Sequence, residues 1–180
     1  SMADEQQMLK QELPKLVDIA MEWGQDYHLA VTTTDTNLQA GQFKGYPPIV
    51  TPAEDPGIFA QHLIVGTAGH WKEMGLEGAW MALSGPTVAS TEIACINKPN
   101  ACPSGLWCIE GYCRGPNWGF LRDDAELVVI IVSDEEDSSP ESPDWYVSQF
   151  TALKPAQTGV GVKLHAVVMT LDGCPGGKWG

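Results

Sequence analysis

Leu127-Val128-Val129-Ile130-Ile131-Val132 runs straight into Ser133-Asp134-Glu135-Glu136-Asp137, and this junction constrains the fold more than any other stretch of the chain. A continuous apolar run bounded by polar residues reads as a strand buried on both faces. In an open parallel sheet, ligands gather just past the carboxyl ends of such strands. Four carboxylates fall at that place, and no Lys or Arg occurs from Asp123 until Lys154. The position of the chemistry is therefore indicated before its nature.

A length of 180 residues fits one domain with a real core, and 43% hydrophobic with 18% charged residues is ordinary for a globular chain. Ten basic against 23 acidic residues leave a net charge of -13. That balance argues against a nucleic-acid backbone or an anionic membrane as partner and suits cations or basic groups. No apolar stretch reaches the roughly 18 residues a membrane span requires.

Cys95, Cys102, Cys108 and Cys113 crowd into one segment, with Cys174 far away. No close Cys-x-x-Cys pair of the kind zinc favours is present. Gly, Pro and Asn fill the gaps, which suits a small disulfide-held insertion over residues 95–113 and an oxidising compartment. Four cysteines allow three pairings. The alternating one, Cys95 with Cys108 and Cys102 with Cys113, is the expectation, and it leaves Cys174 without a partner.

Leu9, Leu13, Leu16, Val17 and Ala20 mark a helix face closed by Gly24. Ser1 and Asp4 have capping-box spacing at its start. Pro14 inside that pattern predicts a kink or a break. His28 to Thr34 reads as a strand ending in Asp35, and Thr36 to Ala53 as a long loop or weak hairpin. Asp55-Pro56 opens a helix carrying Phe59 and Leu63. Another helix, with Leu76, Trp80 and Leu83, follows Gly66-Thr67-Ala68-Gly69 and stops at Gly85-Pro86. Ser142-Pro143 opens a helix with Tyr146, Phe150 and Leu153, and Leu164 to Met169 is the last strand. Strands separated by helices imply an α/β fold, a doubly wound and mostly parallel sheet with helices on both faces.

The order of these pieces resembles the von Willebrand factor type A domain, in the extracytoplasmic form carried by secreted proteins and lipoproteins of myxobacteria. The matching residues are Ser1-Met2-Ala3-Asp4-Glu5-Gln6, Leu29 to Asp35, Gly66-Thr67, Gly75-Leu76-Glu77-Gly78-Ala79, and Gly119-Phe120-Leu121-Arg122 through Asp137. They span nearly the whole chain except the cysteine insertion. The resemblance implies a divalent metal at the carboxyl end of the sheet, held by an Asp-x-Ser-x-Ser motif, a Thr and an Asp. Asp134 matches that Asp, Thr67 the Thr, and Ser1 the last Ser of the motif. The earlier Asp and Ser, and the central strand before them, would stand ahead of residue 1. A further helix and strand would follow Gly173-Cys174-Pro175, so the expectation is one domain over residues 1–180, incomplete at both ends.

Magnesium takes oxygen ligands and keeps several waters, so hydroxyls and one carboxylate leave positions free for an acidic group on a protein partner; calcium or manganese also fit. Ser133, Glu135 and Asp137 would shape the field around such a site. The expected function is thus metal-dependent adhesion or protein interaction outside the cytoplasm, without catalysis. Two alternatives stand beside it. A metal-free interaction domain would use the cysteine insertion, with Trp107 and Tyr112 as anchors. A magnesium-dependent hydrolase or phosphotransferase would need a nucleophile or phosphate loop, and neither a Gly-rich phosphate loop nor a Gly-x-Ser-x-Gly elbow occurs. Blander readings exist for each residue: an acidic run is usually a solvated face, Thr67 a helix cap, Asp35 a turn former. His28, His62, His70 and His165 share no ligand spacing.

Overall fold

The computed structural model describes residues 3–69, 72–98, 100–154 and 159–168. Along the chain come α1 (Ala3–Glu22), α2 (Pro56–His62), α3 (Gly75–Leu83), a 3-10 turn (Gly85–Val88), β1 (Ser90–Ala94), β2 (Trp107–Ile109), β3 (Tyr112–Arg114), β4 (Leu127–Ser133), α4 (Pro143–Ala152) and β5 (Val162–Val168). Ser1, His70, Met169 and Cys174 lie outside the described residues, as does the capping box expected at Ser1. No helix among the described residues is long and apolar enough to cross a membrane.

β4 and β5 pair in parallel, from Leu127 opposite Val162 to Ser133 opposite Val168. The fold is therefore mixed α/β around a small parallel sheet. Leu127, Val129 and Ile131 point into a core built with Leu76, Ala79, Ala82 and Leu83 of α3 and Tyr146 and Phe150 of α4. Trp80 and Trp145 close its edge, their rings perpendicular and 5.8 Å apart. The opposite face of β4 departs from the expectation of burial on both sides. Val128 and Ile130 are 46% and 47% exposed, because α3 and α4 cover one face only.

The sequence start signals are used as read. Asp55 accepts the Gly57 N–H at 2.7 Å ahead of α2, and Ser142 accepts the Trp145 N–H at 3.3 Å ahead of α4. Of the kink or break expected at Pro14 the break is absent, and the strand expected at His28–Thr34 does not form. Pro14 does not break α1, which continues from Ala3 to Glu22. The backbone bond that Pro removes is outweighed by packing, since Leu9, Leu13 and Val17 share a second core with Val50, Phe59 and Leu63. His28 to Thr34 forms no strand ladder. Leu29 makes an isolated antiparallel bridge with Val50, and Val31 accepts the Lys44 N–H at 2.8 Å. A β-branched run has strand propensity, but a strand exists only where a neighbour supplies its hydrogen bonds.

The cysteine-rich segment sits in a three-stranded antiparallel sheet of order β1-β3-β2. Cys95 bonds Cys108 and Cys102 bonds Cys113, the alternating pairing. Behind it, fully buried Asn117 joins three parts of the chain. Its amide donates to Gly41 O and Ala82 O, both at 2.8 Å, and its carbonyl accepts the Phe43 N–H at 3.0 Å. Asn117→Ala would leave the Gly41 carbonyl and the Phe43 N–H without the Asn117 partner, and Ala82 O with only the Thr87 hydroxyl at 3.3 Å. Urea denaturation should show a loss of about 3 kcal/mol at 1–3 kcal/mol per orphaned group.

Candidate functional site

The extended segment His28–Asp35 and β4 run side by side in the same direction. The segment begins against Phe120–Arg122, from which the chain leads into β4: the His28 ring contacts Phe120 O at 3.1 Å, and Arg122 donates to Asp26 O at 3.1 Å. Both end against the residues before α3. The Met74 N–H donates to Thr34 O at 3.3 Å, and Ser133 at the end of β4 donates to Glu73 Oε2 at 2.6 Å. Gly78 fixes the segment against α3, because a Cβ there would stand 2.7 Å from Thr33 O.

Between segment and strand lies a groove of about 1080 Å³. Thr67 and Asp134 both line it, together with Asp35, Glu73 and Glu135. The structure thus brings two of the sequence-predicted ligands to one cavity, at the carboxyl end of β4. Thr67 is exposed and Asp134 half-buried. Asp35 is buried and holds a turn, its Oδ1 accepting the Asn37 and Leu38 N–H groups at 3.0 Å each.

The acidic run divides by role. Glu135 and Glu136 face solvent. Asp137 turns inward, and its Oδ1 accepts the Gly75 N–H at 3.0 Å, the Ser139 N–H at 3.1 Å and the Ser139 hydroxyl at 2.7 Å. Ser139 Oγ in turn accepts the Glu77 N–H at 3.0 Å. Met74 provides no side-chain cap for α3, so Asp137 and Ser139 satisfy its first N–H groups from a distant part of the chain. Ser133 is buried and accepts the Glu135 N–H at 3.0 Å.

Glu73 carried no local signal in the sequence, standing outside any periodic pattern. Burial raises its carboxyl above the ordinary value of 4.5, the Ser133 hydroxyl opposes this, and the charges of Asp134 and Glu135 raise it further. The groove mouth is therefore electronegative and would be relieved by a bound cation. Its donors are hard oxygens, the set that magnesium and calcium prefer.

Among the described residues, the grouping of three metal-capable side chains within 4.8 Å of one another is Cys95, Cys102 and Cys113. These sulfurs lie close because two disulfides stack, and oxidised sulfur offers no thiolate to a metal. Trp107 and Tyr112 stand on β2 and β3, away from the groove lining, 53% and 40% exposed. Comparison with protein-family models, curated proteins and solved structures found no match.

Two outcomes follow from this geometry. Asp137→Ala should cost about 2 kcal/mol in denaturant unfolding, by loss of the buried cap of α3. Glu73 is raised in the folded state, so the stability it contributes is fully present below pH 4.5 and is lost as pH rises through its folded value. In chelator, Glu73→Gln should therefore be more stable than the parent at neutral pH. The gap should close on acidification, as read by melts across pH.

Proposed function

We propose that this chain is a divalent-metal-dependent adhesion or protein-interaction module of an extracytoplasmic protein. The observation that carries the reading is that Thr67 and Asp134, far apart in sequence, line the same groove at the carboxyl end of β4. The resemblance to von Willebrand factor type A domains pairs these two positions as metal ligands. The two disulfides suit an oxidising compartment.

In this reading Thr67 offers a hydroxyl and Asp134 a carboxylate to the same groove. Magnesium, calcium or manganese held there would keep coordination positions open to a carboxylate on a protein partner. Ser133 stays turned inward on Glu73, which keeps the end of β4 in place beneath Asp134. Asp35, Glu73 and Glu135 keep the mouth negative, which draws the cation and holds off a carboxylate partner until the cation is bound.

A second reading rests on exposed Trp107 and Tyr112, with Ile93 of β1 and Ile96 in the turn after it exposed at 42% and 67%. Aromatic side chains on a rigid support make contact anchors that need no metal.

A thermal melt in magnesium, calcium or manganese against chelator separates the two. A cation at ten times its Kd should add about 1.4 kcal/mol, a rise of roughly 3–6 °C for a chain of this size. Asp134→Ala and Thr67→Ala should each remove the rise. An unchanged melt with all three cations would end the metal reading. Loss of partner capture in Trp107→Ala, with no effect of chelator, would place the contact on the cysteine sheet.

A further inference from the structure

One face of the cysteine sheet carries an arginine without an acid. Arg114 of β3 stands opposite Ser90 of β1 and Trp107 of β2, and residues directly opposite one another share a face. Tyr112, two residues before Arg114, lies on that face too. The opposite face carries Cys108 and Cys113 and their disulfides.

Arg114 is fixed in place. Its Cζ lies 3.6 Å from the centre of the Trp118 ring and 5.6 Å from that of Tyr112. Nη1 donates to Ser90 Oγ at 2.9 Å, and Nε is buried without a partner. Stacking and one hydrogen bond thus set the plane of the guanidinium before any ligand arrives, which lowers the ordering cost of binding. No carboxylate among the described residues pairs with it. Lys15, Arg122 and Lys163 each meet one, on Glu12, Asp26 and Glu126. In a chain with 23 acidic residues against ten basic ones, an arginine held still yet left without an acid is open to one from outside.

The surroundings suit a negative group. Residues 90–118 hold two acids, Glu92 and Glu110, and two bases, Lys98 and Arg114, so the net charge of -13 lies wholly outside them. An acidic partner repelled by the rest of the chain meets a neutral surface here. Trp107 and Tyr112 are 53% and 40% exposed, and with Arg114 they are the residue types that dominate binding energy at protein contacts. The charge of the occupant follows. Lys98 lines a cavity with Cys95, Cys102 and Cys108, and Arg114 does not. One guanidinium balances one carboxylate, whereas a phosphate dianion or a nucleic-acid backbone calls for several bases. A cation partly desolvated against a ring also gains more from a carboxylate than a fully hydrated one does.

We infer that this face is a docking site for an acidic protein segment, with an Asp or Glu carboxylate on Arg114 and flanking apolar side chains on Trp107 and Tyr112. The inference deepens the metal-free reading of the cysteine sheet and needs no cation.

The test selects short random peptides displayed on phage against the 180-residue chain. Chelator is present throughout, so that no carboxylate is captured through a metal. Enriched peptides should carry an Asp or Glu beside apolar residues. Replacing that acid by its amide should weaken binding to the parent at least about tenfold, the weight of one charge-assisted hydrogen bond. Arg114→Gln should do the same, and Arg114→Lys, which keeps the charge but not the flat stacked group, should fall between. Because the amide peptide is measured on the parent, the outcome stands even where Arg114→Gln loosens the sheet. Equal binding of acid and amide peptides, or enrichment of basic or uncharged peptides alone, would overturn the inference. Loss of binding in Trp107→Ala but not in Arg114→Gln would keep the cysteine sheet as the contact and overturn its acidic specificity. Peptides indifferent to both substitutions, or no enrichment at all, would end both.

Discussion

The packing of one face of β4 against α3 and α4 is the constraint on which the rest depends. Leu127, Val129 and Ile131 meet Leu76, Ala79, Leu83, Tyr146 and Phe150 there, and each large side chain so buried contributes about 1.5–3 kcal/mol. That face sets the pleat of β4 and hence which residues of the following acidic run turn in or out. Tyr146 extends the contact with a polar link, its hydroxyl donating to Glu77 Oε2 at 2.6 Å. Burial and the neighbouring Glu77 charge push the Tyr146 phenol well above its ordinary range, so it stays a neutral donor at any physiological pH.

α3 transmits this order to the other side of the groove. Its inner face packs on β4, while the absence of a side chain at Gly78 lets the backbone of Thr33 lie against it. Its amino end is capped from the acidic run by Asp137 and Ser139. The same short helix therefore positions both walls of the groove that Glu73, Asp134 and Thr67 line. A site assembled through one helix tolerates little change in that helix.

Much of the helical architecture was legible from local signals. Asp55 and Ser142 cap α2 and α4 because their side chains bond N–H groups two and three residues on, a relation written in the sequence itself. Leu76, Tyr146 and Phe150 fall on the buried helix faces that their spacing indicates. The spacing of the cysteines and the turn residues between them favoured a disulfide-held insertion. Pro14 misleads because the penalty it brings is local, whereas the packing of Leu9, Leu13 and Val17 that outweighs it is not. His28–Thr34 misleads for the converse reason: strand propensity is local, but strand pairing is supplied by a neighbour. Of the proposed ligands, Asp134 stood out by its place past a strand, while Thr67 was singled out by the resemblance alone. Glu73 was not legible, since what distinguishes it is the approach of Ser133 and Asp134 from another part of the chain.

The sequence by itself determined where α2 and α4 begin, which helix faces are buried, that β4 is a strand ending in acid, and that the cysteines lie close enough to bridge. These follow from spacing, capping and side-chain chemistry, which act over a few residues. Only the tertiary structure decided that β4 is covered on one face and open on the other, that Asp137 is a buried cap rather than part of the exposed acidic surface, and that Thr67 and Asp134 share a groove. Each of these depends on which distant backbone approaches, through contacts such as Gly78 with Thr33 and Gly75 with Asp137. Such approaches are set by how whole elements pack, and no local pattern encodes them.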